Sequence, residues 1–166
     1  MANKTLRPIS MSQLWVSADP NDVLVVYGLG SCVAVCLYDP VTRAGGMLHA
    51  LLPTTASNNG TNVNPAKFVD RGIPLLIDSL VNLGAKPTRL IAKLSGGAQI
   101  VTAPGFNEMF YIGRRNVEMA ELALQAAGVK VTARAIGGSV GRTVKLYIAD
   151  GRVTIRTLKD KKETLL

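Results

Sequence analysis

One histidine, two cysteines and one tryptophan are all that 166 residues hold of these types. Each scarcity excludes something. Cys32, Cys36 and His49 are the soft ligands available, with no CxxC spacing and no second histidine, so no zinc site is expected. Long apolar runs are missing too. The longest, 33–38 and 47–52, are strand-length, far short of the roughly 18–20 residues of a membrane helix. Residues 1–8 lack the hydrophobic core of a signal peptide. These absences place the chain in the cytosol, without membrane insertion. A Cys32–Cys36 disulfide is not expected there, and residues four apart in a strand lie roughly 13 Å apart, beyond bridging distance.

Acidic residues are few: 11 against 19 Lys and Arg, a net charge of +8. Such a balance favours an acidic partner. Nucleic acid is not the expected one, because the basic residues are scattered, with the densest group at 156–162. Aromatics are only 5% and form no stacking platform.

What is present is a core-forming composition. Hydrophobic residues make up 48%, enough for one domain over 1–166, with a core at about 12–158 and a basic tail at 159–166. Residues 9–18 read as an extended segment. Strands are expected at 23–27, 33–38, 47–52, 89–94, 129–135, 143–148 and 153–158, the last two joined by an Asp150-Gly151 hairpin. Residues 54–64 read as a polar loop. A helix is expected from the Asn64-Pro65 start to about 83, kinked or split at Pro74. The clearest helix is 114–127, with Val117, Ala120, Leu124 and Ala127 on one stripe and Gly128 as its stop. A loop is expected around Pro104-Gly105. This order predicts an α+β layered sandwich of mixed or antiparallel sheet with two main helices, rather than a Rossmann order.

The chemistry concentrates in two places. His49 is the one side chain with an ordinary pKa near neutrality. Cys32 follows Gly28-Leu29-Gly30-Ser31, where the chain leaves one strand and enters the next. A turn of that kind gathers N–H groups, here around Gly30 and Ser31, into a concavity that can stabilise a thiolate and then an oxyanion. Nearby amides and a protonated imidazole would lower the thiol pKa. Cys36 lies inside an uninterrupted apolar strand and is expected to be packed and inert. His49 sits one strand beyond Cys32, close enough for a Cys–His pair if the two strands are neighbours. Gly28-x-Gly30 is not a dinucleotide fingerprint, since it lacks the third glycine and leads into a strand. No cofactor is expected.

Six ordered blocks resemble one family. They are Gly28-Leu29-Gly30-Ser31-Cys32-Val33-Ala34-Val35, Gly46-Met47-Leu48-His49-Ala50-Leu51-Leu52-Pro53, Lys67-Phe68-Val69-Asp70, Ala92-Lys93-Leu94-Ser95-Gly96-Gly97-Ala98, Ile112-Gly113-Arg114-Arg115-Asn116-Val117 and Gly137-Gly138-Ser139-Val140-Gly141-Arg142. Together they look like the CheD family, over about 12–158. The resemblance implies a sandwich fold similar to toxin-type cysteine deamidases. It implies hydrolysis of glutamine side chains on methyl-accepting chemotaxis receptors to glutamate and ammonia, and CheC, a phosphatase acting on CheY, as a second partner. It places the nucleophile at Cys32 and the catalytic histidine at His49. One departure stands out. The family's third active-site residue is a threonine six positions before the cysteine, and this chain has Val26 there. The orienting role then passes to a backbone carbonyl or to a hydroxyl such as Thr54 or Thr55, or the chain serves instead as an adaptor that binds CheC or receptor helices.

Overall fold

A computed structural model describes residues 3–55, 62–100 and 107–166, with the backbone alone for 107–110. Ten strands and two α-helices are assigned among them: β1 Thr5–Pro8, β2 Gln13–Ser17, β3 Asp22–Leu29, β4 Val33–Asp39, β5 Ala44–Ala50, α1 Val69–Asn82, β6 Ile91–Gly96, α2 Asn107–Ala126, β7 Lys130–Ile136, β8 Arg142–Tyr147, β9 Val153–Thr157 and β10 Thr164–Leu165. They form two mixed five-stranded sheets, ordered β1-β3-β8-β9-β10 and β2-β5-β4-β6-β7. The β1–β3 and β6–β7 pairs are parallel and the other pairs antiparallel. The expected α+β layered sandwich is what forms.

Strand alternation explains the layers. On β4, Val33, Val35 and Leu37 pack with Leu48 and Ala50 of β5 against α1 and α2. The alternate residues Cys32, Ala34 and Cys36 join Met47, Leu24, Val26, Leu29, Val144 and Leu146 between the two sheets. β4 is therefore buried on both faces, which is why its sequence is apolar without interruption. The helices cover one side of the second sheet, and the inter-sheet core lies on its other side.

Several boundaries differ from the sequence expectation. β1 was not foreseen; its backbone pairs with β3 although its side chains are mostly exposed, so no burial pattern marks it. β5 starts at Ala44, taking in Gly45 and Gly46, whose added Cβ atoms would strike Ile148 and Leu76. The expected split of the first helix lies earlier than Pro74. A single 3₁₀ turn, Pro65–Lys67, is capped by the Asn64 side chain, then Phe68 adopts an extended conformation and α1 runs unbroken through Pro74. Phe68 is buried and bridges to Leu52, whereas Pro74 sits on the exposed face. α2 begins at Asn107, seven residues before the expected 114. β10 lies within the basic 159–166 segment and pairs with β9. Residues 56–61 of the polar loop and the loop at Pro104-Gly105 lie outside the described residues. Among the described residues, no helix is long and apolar enough to cross a membrane.

Candidate active site

β4 and β5 are adjacent and antiparallel, with Ala34 opposite His49 and Val33 opposite Ala50. Cys32 is one residue beyond the last rung of that ladder. It faces the inter-sheet layer, as Ala34 does. His49 is the cross-strand partner of Ala34 and shares that face. Counting on from that rung, Cys32 stands diagonally across from His49, just past the end of the ladder. Ala34 lies between His49 and Ser95 of β6. Cys32 is 6% exposed and His49 5% exposed.

The ring of His49 is oriented by the backbone. Its Nδ1 lies 3.2 Å from the Ile9 carbonyl. A carbonyl can only accept, so Nδ1 carries the proton and Nε2 holds the free lone pair. The Ile9 N–H in turn donates to Val25 O at 2.8 Å, and Ser12 N–H donates to His49 O at 2.8 Å. Residues 9–12 carry the chain from β1 in one sheet to β2 in the other, and this crossing supplies both contacts. Val26, where the resemblance implies a threonine, is fully buried among Leu24, Leu29 and Val144. Of the alternatives weighed from sequence, the carbonyl is the one found on the ring. Thr54 Oγ1 instead donates to Asp70 Oδ2 at 2.8 Å, and the Thr55 N–H reaches the same oxygen at 3.4 Å.

The Gly28–Cys32 turn is gripped by its carbonyls. Gly30 O accepts from Ala98 N–H at 2.9 Å, and Cys32 O from Gly97 N–H at 2.9 Å. Ser31 O accepts from Asn116 Nδ2 at 2.9 Å. Gly96 and Gly97 both have positive φ, and a Cβ on Gly96 would stand 2.2 Å from Cys32 O, so only glycine permits this approach. The Cys32 N–H lies against its own sulfur and favours the thiolate, but burial outweighs it and pushes the thiol above its ordinary range. The lowered thiol pKa expected from the turn is therefore not found. Burial likewise pushes the His49 pKa down, against a smaller upward pull from the Ile9 carbonyl. At neutral pH the pair is a thiol and a neutral imidazole.

Cys36 is 3% exposed, and burial pushes its thiol up to about 12, with Lys93 opposing weakly. Both cysteines are free. No cluster of three or more metal-ligating side chains occurs among the described residues. Sequence reasoning passed over Asn116. The available signal was a polar residue in register with Ala120 and Leu124 on the buried stripe of α2.

A family model described as CheD chemotactic sensory transduction matches residues 51–157. That stretch begins just after His49, and relatives extend it. The chain is 40% identical over 158 residues to the "Probable chemoreceptor glutamine deamidase CheD" of Symbiobacterium thermophilum, covering 95% of this chain and 96% of that protein. It is 48% identical over 153 residues to the protein of the same description from Desulforamulus reducens, covering 90% and 89%. A match over 95% of this chain necessarily spans positions 32 and 49. Among solved structures, the hypothetical protein YfiH of Bacillus licheniformis superposes with a TM-score of 0.48 at 14% identity, covering 81% of this chain and 60% of that one, too loosely to argue from. By family model and by near full-length identity, the chain belongs to the CheD family.

Proposed function

We propose that this chain deamidates glutamine side chains of chemoreceptors in the cytoplasm, with Cys32 as nucleophile and His49 as base. The observation that carries this reading is the shared inward face of Cys32 and His49, with ring Nδ1 already committed to Ile9 O. The names of the relatives supply the substrate class.

The neutral resting pair calls for general-base activation rather than a standing thiolate. As Sγ attacks the amide carbon, its proton passes to Nε2 and the carbonyl becomes an oxyanion. The Cys32 N–H, beside Sγ, is suited to receive that charge, with Ser31 and Gly30 N–H as neighbours in the turn. Collapse breaks the C–N bond, and the imidazolium protonates the leaving ammonia. Water then attacks the thioester, giving a proton to Nε2. The C–S bond breaks, the thiol recovers its proton and glutamate is released.

Mass spectrometry of a receptor cytoplasmic fragment tests this directly. The wild-type chain should produce the Gln→Glu mass increase, and Cys32→Ala should slow it by at least about 1000-fold. Equal rates in the two proteins would exclude Cys32 as nucleophile. A second reading is favoured by the un-ionised thiol and by Val26: an adaptor that binds CheC or a receptor helix without turnover. It predicts binding by both proteins and no mass change with either.

A further inference from the structure

The β4–β5 ladder ends at Val33–Ala50, one step short of Cys32. The next rung would join the chain around Cys32 to Leu51. A side chain from α2 stands in its place. Asn116 Nδ2 donates to Ser31 O at 2.9 Å and to Leu51 O at 3.0 Å. One acceptor is the residue before Cys32, the other two residues after His49. Both are carbonyls, so the amide orientation is fixed: only NH₂ can serve them. We infer that Asn116 is a positioning residue of the reaction, holding the nucleophile's turn and the base's strand at one fixed separation.

Helix placement makes this possible. Gly113, one turn earlier on α2, lies directly against the Gly96-Gly97 turn. A Cβ on Gly113 would stand 2.7 Å from Gly97 O and 3.0 Å from Ala98 O. The same Gly97 donates to Cys32 O. Backbone therefore meets backbone at Gly113, and three residues on the helix delivers its amide between Ser31 and Leu51. Asn116 is 0% exposed, and among the described residues its buried Oδ1 meets no hydrogen-bond donor. An unpaired buried acceptor costs stability. An apolar residue on this stripe would avoid that cost, as Ala120 and Leu124 do, but could not donate to either carbonyl. The amide is thus suited to the two carbonyls rather than to packing. A small displacement of a nucleophile can cost about 100-fold in rate, and Asn116 controls just that displacement without touching the reacting atoms.

The inference rests on the Cys32–His49 reading, and its test separates the two. Asn116→Asp keeps the size but loses both donors; Asn116→Ala removes the amide. Both are made in a Cys36→Ala background, so that iodoacetamide reports on Cys32 alone. Expected are a fall in kcat of about 10–100-fold with KM changed less than about twofold, and a Cys32 alkylation profile moved to lower pH as the turn relaxes and the burial that pushes the thiol up is relieved. A residue that merely stabilises the fold would lower the melting temperature without moving either quantity in the folded protein. Folded variants with wild-type kcat and alkylation profile overturn the inference. So does failure of both variants to fold, which would make Asn116 a fold residue. If the wild-type chain makes no glutamate, the deamidase reading falls, while the alkylation profile still decides for or against Asn116.

Discussion

The two ends of β4 are buried alike and built in opposite ways. At one end, Asp39 is fully buried, yet every lone pair is used. Its carboxylate accepts from Arg89 Nε at 3.0 Å and Nη2 at 2.7 Å, from Val41 N–H at 2.9 Å and from Lys86 N–H at 3.0 Å. Arg89 first of all, then the backbone donors, hold its pKa well below the usual carboxylate range. At the other end, among the described residues, Cys32 and His49 are buried without a charged partner and Asn116 Oδ1 without a donor. A saturated polar cluster rigidifies a turn. An under-satisfied one is looser and easier to rearrange. One strand carries both, so the difference lies in the partners each end meets.

Exchanging the damage between the ends gives the largest effects. Asp39→Ala leaves the Val41 and Lys86 amides unpaired and should cost about 2–4 kcal/mol in urea unfolding, with kcat of the folded protein within about twofold of wild type. Cys32→Ala should do the reverse, abolishing turnover while changing stability by less than about 1 kcal/mol. A large activity loss in the Asp39 variant would mean the two ends are coupled along the strand.

Changing pH is the next lever. Folding depresses the His49 pKa below its ordinary 6.5, so the unfolded chain takes up a proton there more readily than the folded one. The contribution is full above pH 6.5 and is lost as pH falls below it, with a slope of at most about 1.4 kcal/mol per pH unit. Urea midpoints at pH 5 and 7.5 should therefore differ, and His49→Gln should reduce the difference. Asp39 does not titrate in that window, its pKa lying lower still. The acid limb of kcat/KM should also fall below pH 6.5. A limb above that value would mean that imidazole is not the base.

Val26→Thr makes the smallest change. It installs the threonine that the resemblance implies but places a hydroxyl in the apolar inter-sheet core, where it should cost about 1 kcal/mol. Ile9 O already holds Nδ1, so kcat should stay within about twofold. A tenfold gain would show that the carbonyl is a poor substitute for a threonine.

The legible parts of the fold were those with a local cause. β3, β4, β8 and β9 announce themselves by apolar runs between turn residues, and α2 by the Ala120 and Leu124 of its expected stripe, although Ala127 is exposed just past its end. The different placements of Cys32 and Cys36 were legible as well, because a glycine turn precedes one and a continuous strand encloses the other. β1 was hidden, since its backbone pairs without burying its side chains. Gly45 and Gly46 fall outside the strand expected at 47–52 because close approach between layers leaves no mark in the sequence.

By itself the sequence determined the residue types of the proposed reaction, one thiol at a turn and one imidazole a strand away, and the layered α+β arrangement that brings neighbouring strands together. Tertiary structure decided how the pair is held. The carbonyl on His49 comes from 40 residues away, and the amide on Ser31 from 85 residues away. Any residue presents a carbonyl, and an asparagine looks the same on a solvated helix face as on a buried one. Only the crossing of residues 9–12 between the sheets, and the approach of Gly113 to Gly97, turn those common groups into parts of a site.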